Sequence, residues 1–336
     1  MTRSQKITLS RRAWLAGVAT VAAGCRAERD LRSALRIGFM PNIGHAVPLL
    51  VAKGSHASLW RDRVGEIEMV PFSSGPAVME ALAAGELDVA YMGPPPVINA
   101  FVRGRIERPR ILAGAAIGGA SLITRRGLVV TKAEELVGLN VASPQLGNTQ
   151  DVALRAFLNE AGVSTVDRGG SVTVVPLANS DAFELIKRGR LDAAWVPEPW
   201  ATRMVQDAGA HRSIDERTLW PDGRFPTVIL AVSRRAMATA SDRVAAVSRA
   251  HHESTERLLG ESDAADQVTA AMGAVLGKKL PVGLMREAWN HFTLSTDPCV
   301  DALEKTASRM RSLGYLPGSS VAGLIVDELS PRAGLF

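Results

Sequence analysis

Only two cysteines occur in 336 residues, Cys25 and Cys299, too few for a disulfide framework or a thiolate metal cluster. Aromatic residues are scarce at 5%, so each one beside a motif stands out. No apolar run approaches the ~20 residues that cross a bilayer; the one near the start, 13–23, has eleven. There is no Gly-x-x-x-x-Gly-Lys-Ser/Thr, no Gly-x-Gly-x-x-Gly after a strand, no His-Glu-x-x-His and no Cys-x-x-Cys, which speaks against the commonest nucleotide, dinucleotide and zinc chemistries. Neither a cofactor nor a metal is expected. A charge excess is lacking too, despite a formal net charge of +5. Arg3, Lys6, Arg11 and Arg12 lie in residues 1–24 with no acid; taking these four from the 39 Lys and Arg leaves 35 against 34 Asp and Glu, a net +1. A body so balanced is no electrostatic partner for nucleic acid.

Residues 1–24 read as an export signal, with a basic start followed by the apolar stretch 13–23. Ser10-Arg11-Arg12-Ala13-Trp14-Leu15 resembles a twin-arginine motif, and Val21-Ala22-Ala23-Gly24-Cys25 resembles a bacterial lipobox. Cys25 is then the expected lipidation site, with 25–34 as a tether and the body in the periplasm or at the outer face of the cell membrane. Two or more acyl chains would anchor it stably. Cys299, between Pro298 and Val300, reads as a packed thiol without a partner.

From residue 35 onward short β-rich runs alternate with helical ones, the pattern of βαβ units and a largely parallel sheet. Strands are predicted at 35–40, 66–71 and 88–92, with helices at 46–53 and 76–84 between them. The rhythm restarts with strands at 139–143, 171–176 and 192–196 and helices at 148–161 and 180–188. The two stretches match in detail at an offset of 103 to 105 residues. Pro41-Asn-Ile-Gly44 answers Pro144-Gln-Leu-Gly147, Val70-Pro-Phe72 answers Val175-Pro-Leu177, and Gly85-Glu-Leu-Asp88 answers Gly189-Arg-Leu-Asp192. The repeat predicts two lobes of one design whose helix starts face a shared edge. Short crossover strands near 120–124 and 225–230 should join them, and the chain beyond Arg234 should be helical cladding. His251-His252 sits in a polar helical stretch and reads as part of a solvated face.

Chemistry concentrates in the turns that follow strands and open helices. Pro41-Asn42-Ile43-Gly44-His45, Ser73-Ser74-Gly75-Pro76 and Ser143-Pro-Gln-Leu-Gly147-Asn148-Thr149-Gln150 offer free amides, short donors and the positive end of a helix dipole. Together these form an anion cradle. Each turn alone is more often a helix cap than a ligand site. Trp195-Val-Pro-Glu198-Pro-Trp200 ends a strand with an apolar ring beside an acid, and Gly93, before Pro94-Pro95-Pro96, allows close backbone approach.

The segments 72–76, 85–96, 142–155 and 193–200 resemble the nitrate/sulfonate/taurine substrate-binding proteins of bacterial ABC importers, over roughly residue 35 to the end. The resemblance implies an α/β, two-lobed periplasmic binding protein of the type II clamshell class, with a helical C-terminal part and no enzymatic activity. It places lobe 1 at 35–120 plus 231–336 and lobe 2 at 121–230. It implies that a small anion or zwitterion binds between the lobes at Asn42, His45, Ser74, Gly75, Gly93, Asn148, Thr149, Gln150, Glu198 and Trp200, with Asn42 and His45 on the cleft floor and Trp200 against the carbon body. The partners it implies are an ABC permease and ATPase, and one cleft per chain makes a monomer the expectation. No Lys or Arg sits inside the turns, so the charge balance falls to helix dipoles and to distant residues such as Arg155, while Glu198 favours a zwitterion over a plain anion. A thiamine-pyrimidine precursor or an aromatic solute is the alternative ligand. An enzyme on this scaffold would need His45 and Glu198 as its acid–base pair.

Overall fold

The computed structural model describes residues 34–104, 108–317 and 320–326, so the leader, Cys25 and most of the tether lie outside the described residues. Eleven strands follow in chain order: β1 (Leu35–Phe39), β2 (Ile67–Pro71), β3 (Val89–Met92), β4 (Arg110–Gly118), β5 (Ala120–Thr124), β6 (Asn140–Ser143), β7 (Thr173–Pro176), β8 (Ala193–Pro197), β9 (His211–Asp215), β10 (Pro226–Val232) and β11 (Phe292–Leu294). They form two sheets, ordered β11-β4-β10-β3-β1-β2 and β7-β6-β8-β5-β9. In each sheet three strands run parallel, β2-β1-β3 and β7-β6-β8, and the strands beyond them antiparallel.

Helices cover both faces of both sheets. In the first half they are α1 (Ala46–Lys53), α2 (Ala57–Val64), α3 (Gly75–Ala83) and α4 (Pro94–Arg103), and in the second α5 (Thr149–Glu160), α6 (Asn179–Lys187) and α7 (Trp200–Ala208). The rest of the described chain adds α8 (Arg234–Thr239), α9 (Ser241–Gly260), α10 (Ala264–Leu276), α11 (Val282–Trp289) and α12 (Val300–Ser312). A strand covered on both faces must be apolar at successive positions. In β10, Val228, Leu230 and Val232 join the core under α1, α9, α10 and α11, and Ile229 and Ala231 join the core under α3, α4 and α12. The second sheet is packed likewise: Leu122, Val141 and Trp195 face one core, and Ile123, Ala142 and Val196 the other.

The sequence repeat has a hydrogen-bond counterpart. Asp88 accepts from the Arg36 amide (2.9 Å) and from the Arg235 guanidinium (3.0 Å). Asp192, 104 residues later, accepts from the Asn140 amide (3.0 Å) and from the Arg125 guanidinium (3.0 Å). The glycines that open these motifs, Gly85 and Gly189, take φ of 72° and 64° just past a helix end, where a side chain would be strained. The Gly-x-Leu-Asp motif therefore stops a helix and ties the next strand to its neighbour, in both lobes.

Four features depart from the sequence reading. The second crossover ends earlier than expected: all of Pro226–Val232 lies in the first sheet, with Ile229–Val232 paired to Val89–Met92, so residues 226–230 pair with lobe 1. Helix α4 begins on three prolines, which are tolerated because a first helical turn needs no N–H donors. Within the C-terminal cladding, β11 adds a short edge strand. His251 lies inside the first core and not on a solvated face. It shares the inner face of α9 with Val244, Val247, Ser254 and Leu258, which are all buried. Cys299 is a buried free thiol, as read, and burial pushes its pKa up.

His251 shows how the core holds a titratable ring. Its Nε2 lies 2.7 Å from the Gly114 carbonyl, which can only accept, so the proton sits on Nε2 and Nδ1 accepts from the Tyr91 hydroxyl at 3.0 Å. Burial pushes its pKa down to about 4. The unfolded chain takes up a proton near the ordinary value of 6.5 that the folded chain refuses, so stability is lost as pH falls from 6.5 towards 4. The buried carboxyl of Glu216, pushed up to about 7, acts in the opposite direction. The difference between parent and variant therefore isolates the histidine. In thermal melts across this range, His251→Gln is expected to flatten the acid-side slope by up to about 1.4 kcal/mol per pH unit; parallel slopes would disprove the assignment.

Candidate functional site

In a parallel βαβ unit each helix starts at the carboxyl edge of its sheet. Here those edges face each other across one cavity of about 890 Å³. From the first lobe it is lined at the starts of α1 (His45), α3 (Ser74, Gly75) and α4 (Gly93, Pro96). The second lobe contributes the starts of α5 (Asn148, Thr149, Gln150), α6 (Ala178, Asn179) and α7 (Glu198, Trp200). All ten residues expected from the sequence lie on this wall.

Their individual states differ from what the sequence suggests. His45 is buried, its Nδ1 accepts the Met40 amide at 3.4 Å, and burial pushes its pKa down to about 3. It is a neutral donor through Nε2. Asn42 spends its oxygen on the Gly44 amide and its nitrogen on the Glu198 carbonyl, both at 2.9 Å; the second bond joins the lobes. Asn148 caps α5 by accepting from the Asp151 amide at 2.9 Å, so the plain capping role holds for its oxygen. No side chain caps α3 or α6, which leaves their first-turn amides to the cavity. Trp200 packs beside Phe183, with the Arg203 guanidinium 5.3 Å from its ring centroid. Its strand neighbour Trp195 is a core residue whose Nε1 donates to Glu216 at 2.7 Å.

Electrostatically the wall is nearly blank. Glu198 is the one formally charged residue that lines it. Its side chain is 2% exposed; Oε1 accepts from Arg212 at 2.7 Å and Oε2 from the Thr202 amide at 3.0 Å. The carboxylate is therefore neutralised and occupied, which overturns the expectation that it favours a zwitterion. Arg155 does not balance the cleft either, since it is buried against Asp151 (3.0 Å) and Asp167 (3.1 Å). Nor are His45 and Glu198 an acid–base pair: one ring stays neutral near pH 7 and the other group has both oxygens engaged.

Sequence reasoning missed Asn179, whose Oδ1 is buried without a partner. Extending the matched Val70-Pro-Phe72 and Val175-Pro-Leu177 by two residues sets Asn179 opposite Ser74, so the repeat held the signal. It also missed the apolar wall of Phe72, Val275, Leu276 and Phe292. Two of these come from α10 and one from β11, elements with no copy in the second half.

Residues 30–273 match the NMT1-like family. This chain belongs to it. A protein of Escherichia coli (strain K12) named "Putative aliphatic sulfonates-binding protein" is 26% identical to this NMT1-like chain over 217 residues, 63% of this chain and 64% of that one. The chain thus matches somewhat under two thirds of that relative's length. The alkanesulfonate-binding protein SsuA from Xanthomonas axonopodis pv. citri, solved bound to MOPS, superposes with a TM-score of 0.70 at 21% identity, over 88% of this chain and 98% of that one. The periplasmic nitrate-binding protein NrtA from Synechocystis PCC 6803 gives 0.72 at 16% identity, over 90% and 86%. The fold of this NMT1-like protein is the two-lobed α/β fold of periplasmic binding proteins, and its relatives and neighbours are solute-binding proteins.

The lobes lie close together where Gly93 meets Thr149. A Cβ on Gly93 would overlap Thr149 Oγ1. Gly93→Ala is expected to cost about 1–3 kcal/mol or to spread the lobes, and Thr149→Ala in the same chain is expected to restore the parent behaviour. Thermal melts and small-angle scattering read both; a Gly93→Ala chain as stable and as compact as the parent would show that the approach is not tight.

Proposed function

We propose that this chain is the extracytoplasmic solute-binding component of an ABC importer, and that it carries a small sulfonate-like or nitrate-like oxyanion in the interlobe cavity to a permease and its ATPase. The observation that carries this reading is the convergence of six helix N-termini on a cavity whose one charged lining residue is already neutralised. Each helix start presents about half a positive charge, and those not opened by prolines add unpaired amides, so an anion gains donors from both lobes without a counter-cation. Ser74, Gly75, Thr149 and Gln150 supply first-turn amides and hydroxyls, His45 an Nε2 donor, and Trp200 a face for the carbon body. A ligand held from both sides stabilises the joined arrangement of the lobes.

Phe72, Trp200 and Phe292 on the same wall support a second reading, an aromatic or pyrimidine solute. A thermal-shift and calorimetric screen of the purified chain against short alkanesulfonates, nitrate, sulfate esters and pyrimidines separates the two. An oxyanion is expected to stabilise the fold with rising concentration, by about 2.7 kcal/mol at a hundred times Kd, and to be recovered unchanged. Stabilisation by pyrimidines or aromatic solutes alone would overturn the first reading.

The lipobox-like run before Cys25 supports export as a lipoprotein, which holds the protein beside its permease. Cells fed an alkyne-tagged fatty acid are expected to label the chain, and Cys25→Ser to lose both the label and the membrane fraction. A Cys25→Ser chain that keeps its label would place the acyl chain elsewhere.

A further inference from the structure

The ion pair in the cavity wall bears on which anions fit. Glu198 Oε1 receives Arg212 Nη2 at 2.7 Å and Oε2 receives the Thr202 amide at 3.0 Å, while Arg212 also donates to Ser121 Oγ (2.7 Å) and Thr202 Oγ1 (3.1 Å). Asp215, on the same strand as Arg212, holds Arg217 at 2.6 Å. Neither that pair nor Glu216, whose carboxyl is held by the Trp195 and Trp220 indoles, lines the cavity, so Glu198 is the one carboxylate among the described lining residues. The neutral acceptors that remain on the wall, such as Asn179 Oδ1, offer a hydrogen bond but no compensating charge. An ammonium group brought here would lose its water and face six positive helix ends with no anion to pair with.

We infer that the Glu198–Arg212 pair sets ligand selectivity: by occupying the cavity's one carboxylate it admits oxyanions whose remainder is uncharged and rejects those that also carry an ammonium. This deepens the proposed oxyanion-binding role and rests on it. Arg212 acts here as a positioning residue, through Glu198.

The probes are ethanesulfonate and taurine, which share a sulfonate and a two-carbon chain and differ by the ammonium. In calorimetric titrations at one pH and salt concentration the parent chain is expected to bind ethanesulfonate at least ten-fold more tightly. Arg212→Met frees the Glu198 carboxylate and is expected to move the affinity ratio at least ten-fold towards taurine. Glu198→Gln keeps an acceptor for the Thr202 amide but leaves the Arg212 charge uncompensated, and is expected to sharpen the preference for ethanesulfonate, which tests the idea even where Arg212→Met does not fold. The ratio is the readout because a purely structural defect weakens both ligands alike. Taurine within three-fold of ethanesulfonate on the parent, an unchanged ratio in folded Arg212→Met, or a shift towards taurine in Glu198→Gln would each overturn the inference while leaving oxyanion binding standing. Failure of the parent to bind any oxyanion would overturn that reading and the inference with it.

Discussion

Glu198 is where the parts of this molecule meet. Its amide donates to the Gly119 carbonyl in the crossover between sheets, its carbonyl accepts from Asn42 of the first lobe, and its carboxylate joins β9 through Arg212 and the start of α7 through Thr202. A buried carboxylate with one partner missing is strongly unfavourable. The arrangement therefore ties the crossover, the strand, the helix start and the opposite lobe to one another. The orientation of Trp200, two residues on, follows from it.

The character of the cavity comes from chain direction. Each lobe repeats β-α-β with its parallel strands pointing at the cleft, so every helix that follows such a strand starts at the rim and adds a partial positive charge and unpaired amides. Side chains then refine what the backbone provides. Pro94, Pro95 and Pro96 delete the amides of α4, Asn148 claims one from α5, and Glu198 claims one from α7. The starts of α1, α3 and α6 carry no side-chain cap, although Pro76 removes one amide from α3. An anion site built from fixed dipoles avoids burying a cation in the empty state, a penalty that a bare guanidinium in the same place would carry.

How much of this was legible in the sequence depended on whether the information was local. Strand alternation, helix starts and the repeated Gly-x-Leu-Asp lie within windows of ten residues, and the parallel halves were read from them with edges close to those observed. The ten wall residues were readable because each sits in a turn between a strand and a helix. What failed was pairing across distance. Nothing near Glu198 announces Arg212 on β9, two strands away from β8 in the sheet, and nothing near Arg155 shows that Asp167 holds it as well. The burial of His251 failed for the same reason: its polar neighbours along the chain describe the outer face of α9, while its inner face answers to Tyr91 and Gly114, more than a hundred residues away.

The two lobes are fastened to each other on both sides of the crossovers. On one side, Asn42 reaches the Glu198 carbonyl beside Gly119, Gly93 lies against Thr149, and α11 packs on α7. Behind the crossovers, Arg309 of α12 grips Glu160 of α5 through two nitrogens (2.7 and 3.0 Å) and lies over Trp220, Tyr315 donates to Asp151, and Arg168 reaches the Leu313 carbonyl. Between the two sides runs Gly118-Gly119, both at positive φ (77° and 78°), a pair with unusual backbone freedom. The C-terminal helix α12, which has no copy in the repeat, therefore joins the two repeated halves: it packs in the core of the first and pairs with α5 of the second.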